Sequence, residues 1–189
     1  MRHAAWKRMA RSLRRTGKTK TMSDTKPLHD EEAIAKFKEL VKHSSICHFL
    51  TSLDQRPIPS RPMSAQQVDE DGNFWFLSSL SSLKDEQVTA DPYVQLLFAN
   101  TGDAEFLSVF GTATIVMDMA KKRELWSDLA KAWFPKGVED PDLTVLKVKP
   151  MESYYWDTRN GKMITLLKMA ASAIIGKKSH SGVEGKISI

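Results

Sequence analysis

The chain has 189 residues, enough for one domain with a buried core, and its 41% hydrophobic and 27% charged residues are typical of a soluble globular protein. The longest apolar stretch, residues 163–176, is interrupted by Lys168 and is too short to cross a membrane, so no membrane partner is expected. Cys47 is the only cysteine, which excludes an internal disulfide and predicts a reducing, cytoplasmic compartment.

The net charge of +5 is concentrated in the N-terminal segment. Residues 1–26 contain nine Lys or Arg residues and one acid, whereas the rest of the chain has 19 basic and 22 acidic residues. Three interpretations of this basic arm stay open: electrostatic binding of nucleic acid, an Arg-rich transit-like segment, or an upstream start before Met22. Because the arm has no folding pattern, nucleic-acid binding is not the expected function. We predict a disordered arm at 1–26, a folded domain at 27–166, and a helix remnant with a flexible tail at 167–189.

After the arm, short elements with helical or strand periodicity follow one another. In chain order they are a helix at 28–43, strands at 45–53, 61–68 and 73–79, a helix at 81–92, strands at 93–100 and 105–118, a helix at 119–134, and a strand at 143–157. The turn sequence at 69–72 predicts that the strands on either side of it form a hairpin.

The order of these elements predicts the fold class. Strands joined mainly by hairpins, with few helices between them, favour a mainly β (α+β) fold in which an antiparallel barrel carries a few peripheral helices. In the predicted helix 119–134, we expect Leu125, Leu129 and Ala132 to face inward.

Basic and hydroxyl side chains are predicted to meet at one corner of the barrel. Arg61 begins one hairpin strand, the serine-rich run 78–82 follows the other, and Lys84 lies at the start of the next helix. Cations, hydroxyls and the N–H groups of a helix terminus together can bind a phosphate dianion. The alternative is purely structural, with serines that cap the helix, a solvated Lys84 and an Arg61 that pairs with an acid. The residues alone leave both interpretations open.

Longer motifs extend this corner into a family resemblance. The segments FLSSLSSLKDEQVTADPYVQLLF (76–98), VFGTATIV (109–116) and VKPMESYYW (148–156) resemble the signature of pyridoxamine 5′-phosphate oxidases. Within that superfamily, the chain is most similar to the general stress protein 26 group in SRPM (60–63), in residues 124–148 and in YYWD (154–157). The resemblance covers about residues 30 to 165.

This resemblance implies an FMN-binding split β-barrel that forms a homodimer with flavin at the subunit interface. FAD is a related cofactor that the motifs also allow. In the family, an arginine and a lysine at matching positions bind the phosphate, and the backbone after that arginine runs along the isoalloxazine. A tryptophan from the partner subunit lies near the flavin. The implied cofactor-binding residues are Arg61, Pro62, Met63, Ser78, Ser79, Ser82, Lys84, Phe106 and Trp156.

Several positions depart from the oxidase pattern. Leu83 replaces an arginine that binds phosphate, Phe106 replaces a glutamine that contacts flavin, and Gln66 stands near a lysine that binds the substrate phosphate. The oxidases also have an R-x-H-x-R substrate motif, and the aligned positions here are Lys162, Ile164 and Leu166. Because apolar side chains cannot bind a phosphorylated substrate, true pyridoxamine phosphate oxidase activity is not expected.

Other catalytic patterns are weaker. His43, Cys47 and His48 are close in sequence, but no acid or amide completes a triad, and Cys47 is expected in the core. The acids of segment 69–71 fit a solvated hairpin tip rather than a metal site. We therefore expect a flavin-dependent oxidoreductase of unknown substrate, with NAD(P)H as a candidate reductant. A non-catalytic flavin-binding or stress-response module is the alternative, and no catalytic residue is assigned.

Overall fold

The computed structural model describes residues 24–25, 28–157 and 183–188. The strands are β1 (Asp24–Thr25), β2 (Leu28–His29), β3 (Ile46–Leu50), β4 (Ser60–Val68), β5 (Phe74–Ser79), β6 (Tyr93–Asn100), β7 (Glu105–Val116), β8 (Leu143–Asp157) and β9 (Val183–Ser188). The helices are α1 (Asp30–His43), α2 (Leu83–Ala90) and α3 (Met119–Leu125), followed by short 3₁₀ turns at Asp128–Ala132 and Gly137–Glu139.

Six antiparallel strands close into a barrel. The strand order is β8-β5-β4-β3-β6-β7, and β7 also pairs with β8, which completes the ring. Strand β9 pairs antiparallel with the C-terminal residues 153–157 of β8, and it pairs in parallel with β1 and β2. The predicted mainly β fold, an antiparallel split barrel with a few peripheral helices, is thus confirmed.

Alternating side chains fill the barrel. Along β7, Leu107, Val109, Gly111 and Ala113 are buried, whereas the residues that alternate with them are more exposed. Helix α1 covers one end of the barrel and inserts Phe37, whose ring centroid lies 5.0 Å from that of Phe74. The apolar stripe of α1 therefore closes the core that the strands leave open.

Most predicted strands are confirmed, including 93–100 and 143–157 with their bounds, while 45–53 shortens to β3. The helix predicted at 119–134 is wrong beyond Leu125, where α3 ends, and Leu129 and Ala132 are exposed rather than inward. Leu125 packs with Trp75, whereas Ala130 and Phe134 pack on Leu143. Leu125, Ala130 and Phe134 are five and then four residues apart, and a continuous helix would not place all three on the same face. The helix therefore ends at Leu125.

Some predictions concern segments that the structure describes only in part. Within the predicted arm, Asp24–Thr25 form β1, and within the predicted tail, Val183–Ser188 form β9. The remaining positions of both segments lie outside the described residues, and so does the substrate-motif alignment at Lys162, Ile164 and Leu166. The domain boundaries stay predictions. In the described part of the chain, no helix is both long enough and apolar enough to span a membrane.

Candidate functional site

The β4–β5 hairpin and helix α2 assemble the predicted basic corner. The antiparallel pairing of β4 with β5, which sets Ala65 opposite Phe76, directs the Arg61 end of β4 toward the end of β5 that Ser78 and Ser79 form, and the Arg61 charge acts on Lys84. Ser82 is the N-cap of α2, where its Oγ accepts a hydrogen bond from the Asp85 N–H at 3.3 Å. The capping role in the structural interpretation is thus confirmed, while phosphate binding by this serine run stays a prediction.

Lys84 is buried within this corner. Its Nζ donates to Ser78 Oγ, to Ser82 Oγ at 3.0 Å and to Asp85 Oδ1 at 3.0 Å. Burial lowers the pKa of Lys84, the Asp85 carboxylate opposes that shift, and the Arg61 charge lowers the pKa further. The alternative of a solvated Lys84 is therefore wrong, and the two cations influence each other electrostatically.

Arg61 is held by neutral groups. Its Nη1 donates to Thr51 Oγ1 at 2.9 Å, and its Nη2 donates to Gln87 Oε1 at 2.9 Å. Burial lowers the pKa of the half-buried guanidinium, which still carries its charge at neutral pH. No carboxylate among the described residues forms an ion pair with it. Its charge is therefore oriented but not neutralised by a counterion, which suits an anionic ligand.

Two carboxylates at the corner were missed by sequence reasoning. Asp85 Oδ1 accepts hydrogen bonds from Ser78 and Ser82 in addition to Lys84. Asp142 accepts from Ser79 Oγ and, at 2.8 Å, from the Ser81 N–H, and these bonds lower the pKa of its carboxyl. Asp85 could have been noticed from its place directly after Lys84, whereas no local signal connects Asp142 to the serines.

The remaining predicted site residues lie elsewhere on the barrel. Pro62 is exposed on β4, and Met63 is partly buried against the core. Phe106 on β7 lies directly opposite Trp156 on β8, and both are exposed. Strands β3 and β6 separate β4 from β7, and β8 pairs with β5 only over residues 143–148, well before Trp156, so neither aromatic residue lies on a strand that pairs with β4. The nine predicted residues therefore fall into two groups. One is the polar corner with Pro62 and Met63 beside it on β4, and the other is the aromatic pair Phe106 and Trp156.

The weaker catalytic patterns do not form a site. Cys47 is buried, as predicted, and burial raises the pKa of its thiol to about 12, so it is not a thiolate at neutral pH. His43 Nδ1 lies 2.9 Å from Glu105 Oε2, and His48 Nδ1 lies 3.1 Å from Ser60 Oγ. His43 and His48 thus contact different residues and are not paired with each other.

The hairpin tip at 69–71 has a structural role. Asp69 accepts hydrogen bonds from Asn73 and from Trp75 Nε1, which hold its carboxylate within the turn. Burial acts to raise the pKa of Asp69, but the hydrogen bonds together outweigh it and lower that pKa. Among the residues with described positions, no cluster of three or more His, Cys, Asp or Glu side chains could hold a metal ion.

Comparison with known proteins agrees with this architecture. Residues 32–180 match the family described as pyridoxamine 5′-phosphate oxidase like. Protein bli-3 of Neurospora crassa is 28% identical in an alignment of 127 residues, and the match covers 62% of this chain and 61% of bli-3. This chain therefore matches about three fifths of the length of that relative.

Three solved structures illustrate the fold. A protein from Jannaschia sp. CCS1 assigned to general stress protein 26 has a TM-score of 0.68 and 23% identity, with 85% of this chain and 99% of that chain covered. A Clostridium acetobutylicum protein related to general stress protein 26, of the pyridoxinephosphate oxidase family, has a TM-score of 0.58 and 26% identity over 68% and 90% of the chains. An FMN-binding protein from Nostoc punctiforme has a TM-score of 0.54 and 16% identity over 67% and 82%.

Proposed function

Since this chain belongs to the pyridoxamine 5′-phosphate oxidase like family, we propose that it binds a flavin, FMN, with the phosphate at the corner of Arg61, Ser78 and Lys84. The observation that carries the proposal is the Arg61 guanidinium, which neutral side chains orient and no described carboxylate neutralises. A charged donor of this kind, beside the hydroxyls and the N-terminus of α2, is suited to a phosphate. The FMN-binding relative from Nostoc punctiforme supports the choice of FMN, and FAD stays the related alternative.

The arrangement of the aromatic pair supports a homodimer. Phe106 and Trp156 are remote from the phosphate corner of their own chain, so they would contact flavin bound to a second copy. Exposed apolar side chains also lie on neighbouring strands of this barrel face, namely Ile46 on β3 and Leu97 on β6. An apolar face of this kind is typical of a subunit interface. We propose that two chains associate through it with flavin between them.

A bound flavin supplies electron or hydride transfer, and the protein binds, orients and encloses it. We propose that the complex is an oxidoreductase of unidentified substrate, with NAD(P)H as the candidate reductant. A non-catalytic flavin-binding module is the second candidate. It is favoured by Ile164 and Leu166 at the positions of the oxidase substrate motif. Anaerobic mixing of the yellow protein with NADH or NADPH separates the two, since loss of the flavin colour followed by recovery in air requires turnover.

Replacing Arg61 with methionine is expected to weaken FMN binding about 10- to 100-fold and riboflavin binding less than twofold. Only FMN has the phosphate, and a hydrogen bond to a charged group is worth about 1.5–3 kcal/mol. Arg61 is a cleaner test than Lys84 because no described carboxylate depends on it for charge balance. Fluorescence titration with both flavins measures the effect, and Arg123→Met, an exposed cation on α3, is the matched control. Equal losses for the two flavins would contradict the phosphate role, and an unmodified protein that takes up neither flavin would contradict flavin binding.

Trp156→Asp is expected to convert the dimer into a monomer with a mass near 21.3 kDa and to weaken flavin binding with it. The substitution places a charge in an apolar interface, where an unpaired charge is costly. Light scattering coupled to size exclusion gives the mass. The control is Trp133→Asp, because Trp133 is 75% exposed and lies outside this face, so its replacement should leave the mass unchanged. A monomeric unmodified protein that still binds FMN tightly would rule out the interface proposal.

A further inference from the structure

Asp85 occupies the point where the predicted phosphate donors converge. Its Oδ1 accepts hydrogen bonds from Ser78 Oγ, Ser82 Oγ and Lys84 Nζ, three of the groups assigned above to the ligand phosphate. The side chain is only 1% exposed, so solvent does not screen its charge. One carboxylate oxygen of the protein thus takes the place that a phosphate oxygen would need.

The second oxygen of Asp85 is unusual in another way. Asp85 Oδ2 is buried and has no hydrogen-bond partner among the described residues. Buried polar atoms of folded proteins nearly always have such a partner, and a charged group that lacks one costs stability. The carboxylate therefore balances the charge of Lys84 without being fully satisfied itself. Charge balance with Lys84 accounts for an acid at this position, and the same hydrogen bonds put the carboxylate in competition with an anionic ligand for these donors.

We propose that Asp85 is a specificity-determining residue that competes with the ligand phosphate for Ser78, Ser82 and Lys84. This inference deepens the proposed flavin function and rests on it for the identity of the ligand. A phosphate that enters while Asp85 keeps its donors meets a buried like charge nearby. A phosphate that takes the donors leaves Asp85 buried without its hydrogen bonds. In either case the phosphate of FMN contributes less to the affinity than it would in a site where Asp85 did not already bind these donors.

Asp142 does not have the same effect. It is partly exposed and binds Ser79 and the Ser81 N–H, and it makes no hydrogen bond to Arg61 or Lys84. Water can replace its contacts, so a phosphate could displace it at a lower cost. The proposal therefore concerns Asp85 specifically rather than the acidity of the whole corner.

The test compares FMN with riboflavin in the full-length protein and in Asp85→Asn. Asparagine keeps the shape and an acceptor oxygen for Ser78 and Lys84 but removes the charge. We expect the ratio of the riboflavin Kd to the FMN Kd to rise at least tenfold. Glu86→Gln is the matched control, since Glu86 is an exposed neighbour on α2, and its ratio should change less than twofold. An unchanged or lower ratio in a folded Asp85→Asn protein would overturn the proposal.

A second measurement does not depend on flavin. Inorganic phosphate should raise the melting temperature of Asp85→Asn more than that of the unmodified protein, because the anion gains access to donors that Asp85 otherwise holds. If flavin fails to bind but phosphate shows this difference, the proposed function falls and the role of Asp85 stands. Equal phosphate effects together with an unchanged flavin ratio would refute that role. Asp85→Ser, which retains an acceptor with less bulk, serves if the asparagine variant does not fold.

Discussion

Replacement of Lys36 by methionine is expected to lower the free energy of unfolding by about 3–5 kcal/mol, the usual cost of breaking a buried ion pair from one side. Lys36 on α1 and Asp157 at the end of β8 are both buried, with Nζ and Oδ2 2.5 Å apart. Lys36 also lies over the Tyr155 ring, 5.6 Å from its centroid. The pair thus fastens α1 to the end of β8 next to Trp156, and its loss would leave the Asp157 carboxylate buried without its lysine.

Urea denaturation followed by circular dichroism measures this loss. The matched control is Lys38→Met on the same helix, where Lys38 pairs with the exposed Glu70 and a surface pair of that kind contributes about 0–1 kcal/mol. Similar losses for Lys36→Met and Lys38→Met would show that the buried pair has no special role.

Gly111→Ala is expected to destabilise the barrel by about 3 kcal/mol, the upper part of the range for overpacked sites. A Cβ atom at position 111 would lie 2.2 Å from the carbonyl oxygen of Lys149 and 3.1 Å from the Cα of Pro150. These are backbone atoms of β8, so no side-chain rotation can relieve the contact. The clash occurs at the register shift after Phe110, in the pairing of β7 with β8 that closes the barrel.

The control for this variant is Gly102→Ala in the turn before β7. There the nearest atom to an added Cβ is the side-chain Oδ1 of Asn100 at 3.2 Å, which can move. Its stability should change by less than about 1 kcal/mol, as at most surface positions. Thermal and urea unfolding of both variants give the comparison. If Gly111→Ala left the urea midpoint unchanged, the backbone of β8 would have to move aside for the new Cβ atom at little cost, which would contradict this prediction.

Prediction from the sequence worked best where the signal was local. The hairpin of 61–68 and 73–79 follows from the turn residues between the strands, and its antiparallel direction brings the Arg61 end of β4 toward the end of β5. The N-cap role of Ser82 follows from the serine before an acidic first helical turn. The corner of Arg61, Ser78 and Lys84 was therefore predictable from strand direction and capping alone.

Prediction was wrong where distant packing overrides local periodicity. The amphipathic pattern of 119–134 favours one helix, yet the chain bends after Leu125 because Ala130 and Phe134 pack on Leu143 of β8. The contribution of that packing exceeds the small difference in free energy between a continuous and a broken helix. Leu129 is exposed for the same reason.

The sequence by itself determined the kind of fold, through alternating strands and hairpin turns, and it identified the residues that we propose to bind a phosphate. Only the tertiary structure decided which charges those residues meet. Ser79 and Asp142 are 63 residues apart in the chain and come together only because β5 pairs with β8. The rotamers that bring Ser78, Ser82 and Lys84 onto Asp85 depend on the burial of that corner, where a carboxylate must find donors. A motif specifies donors, but the competitors for those donors depend on how the chain folds around them.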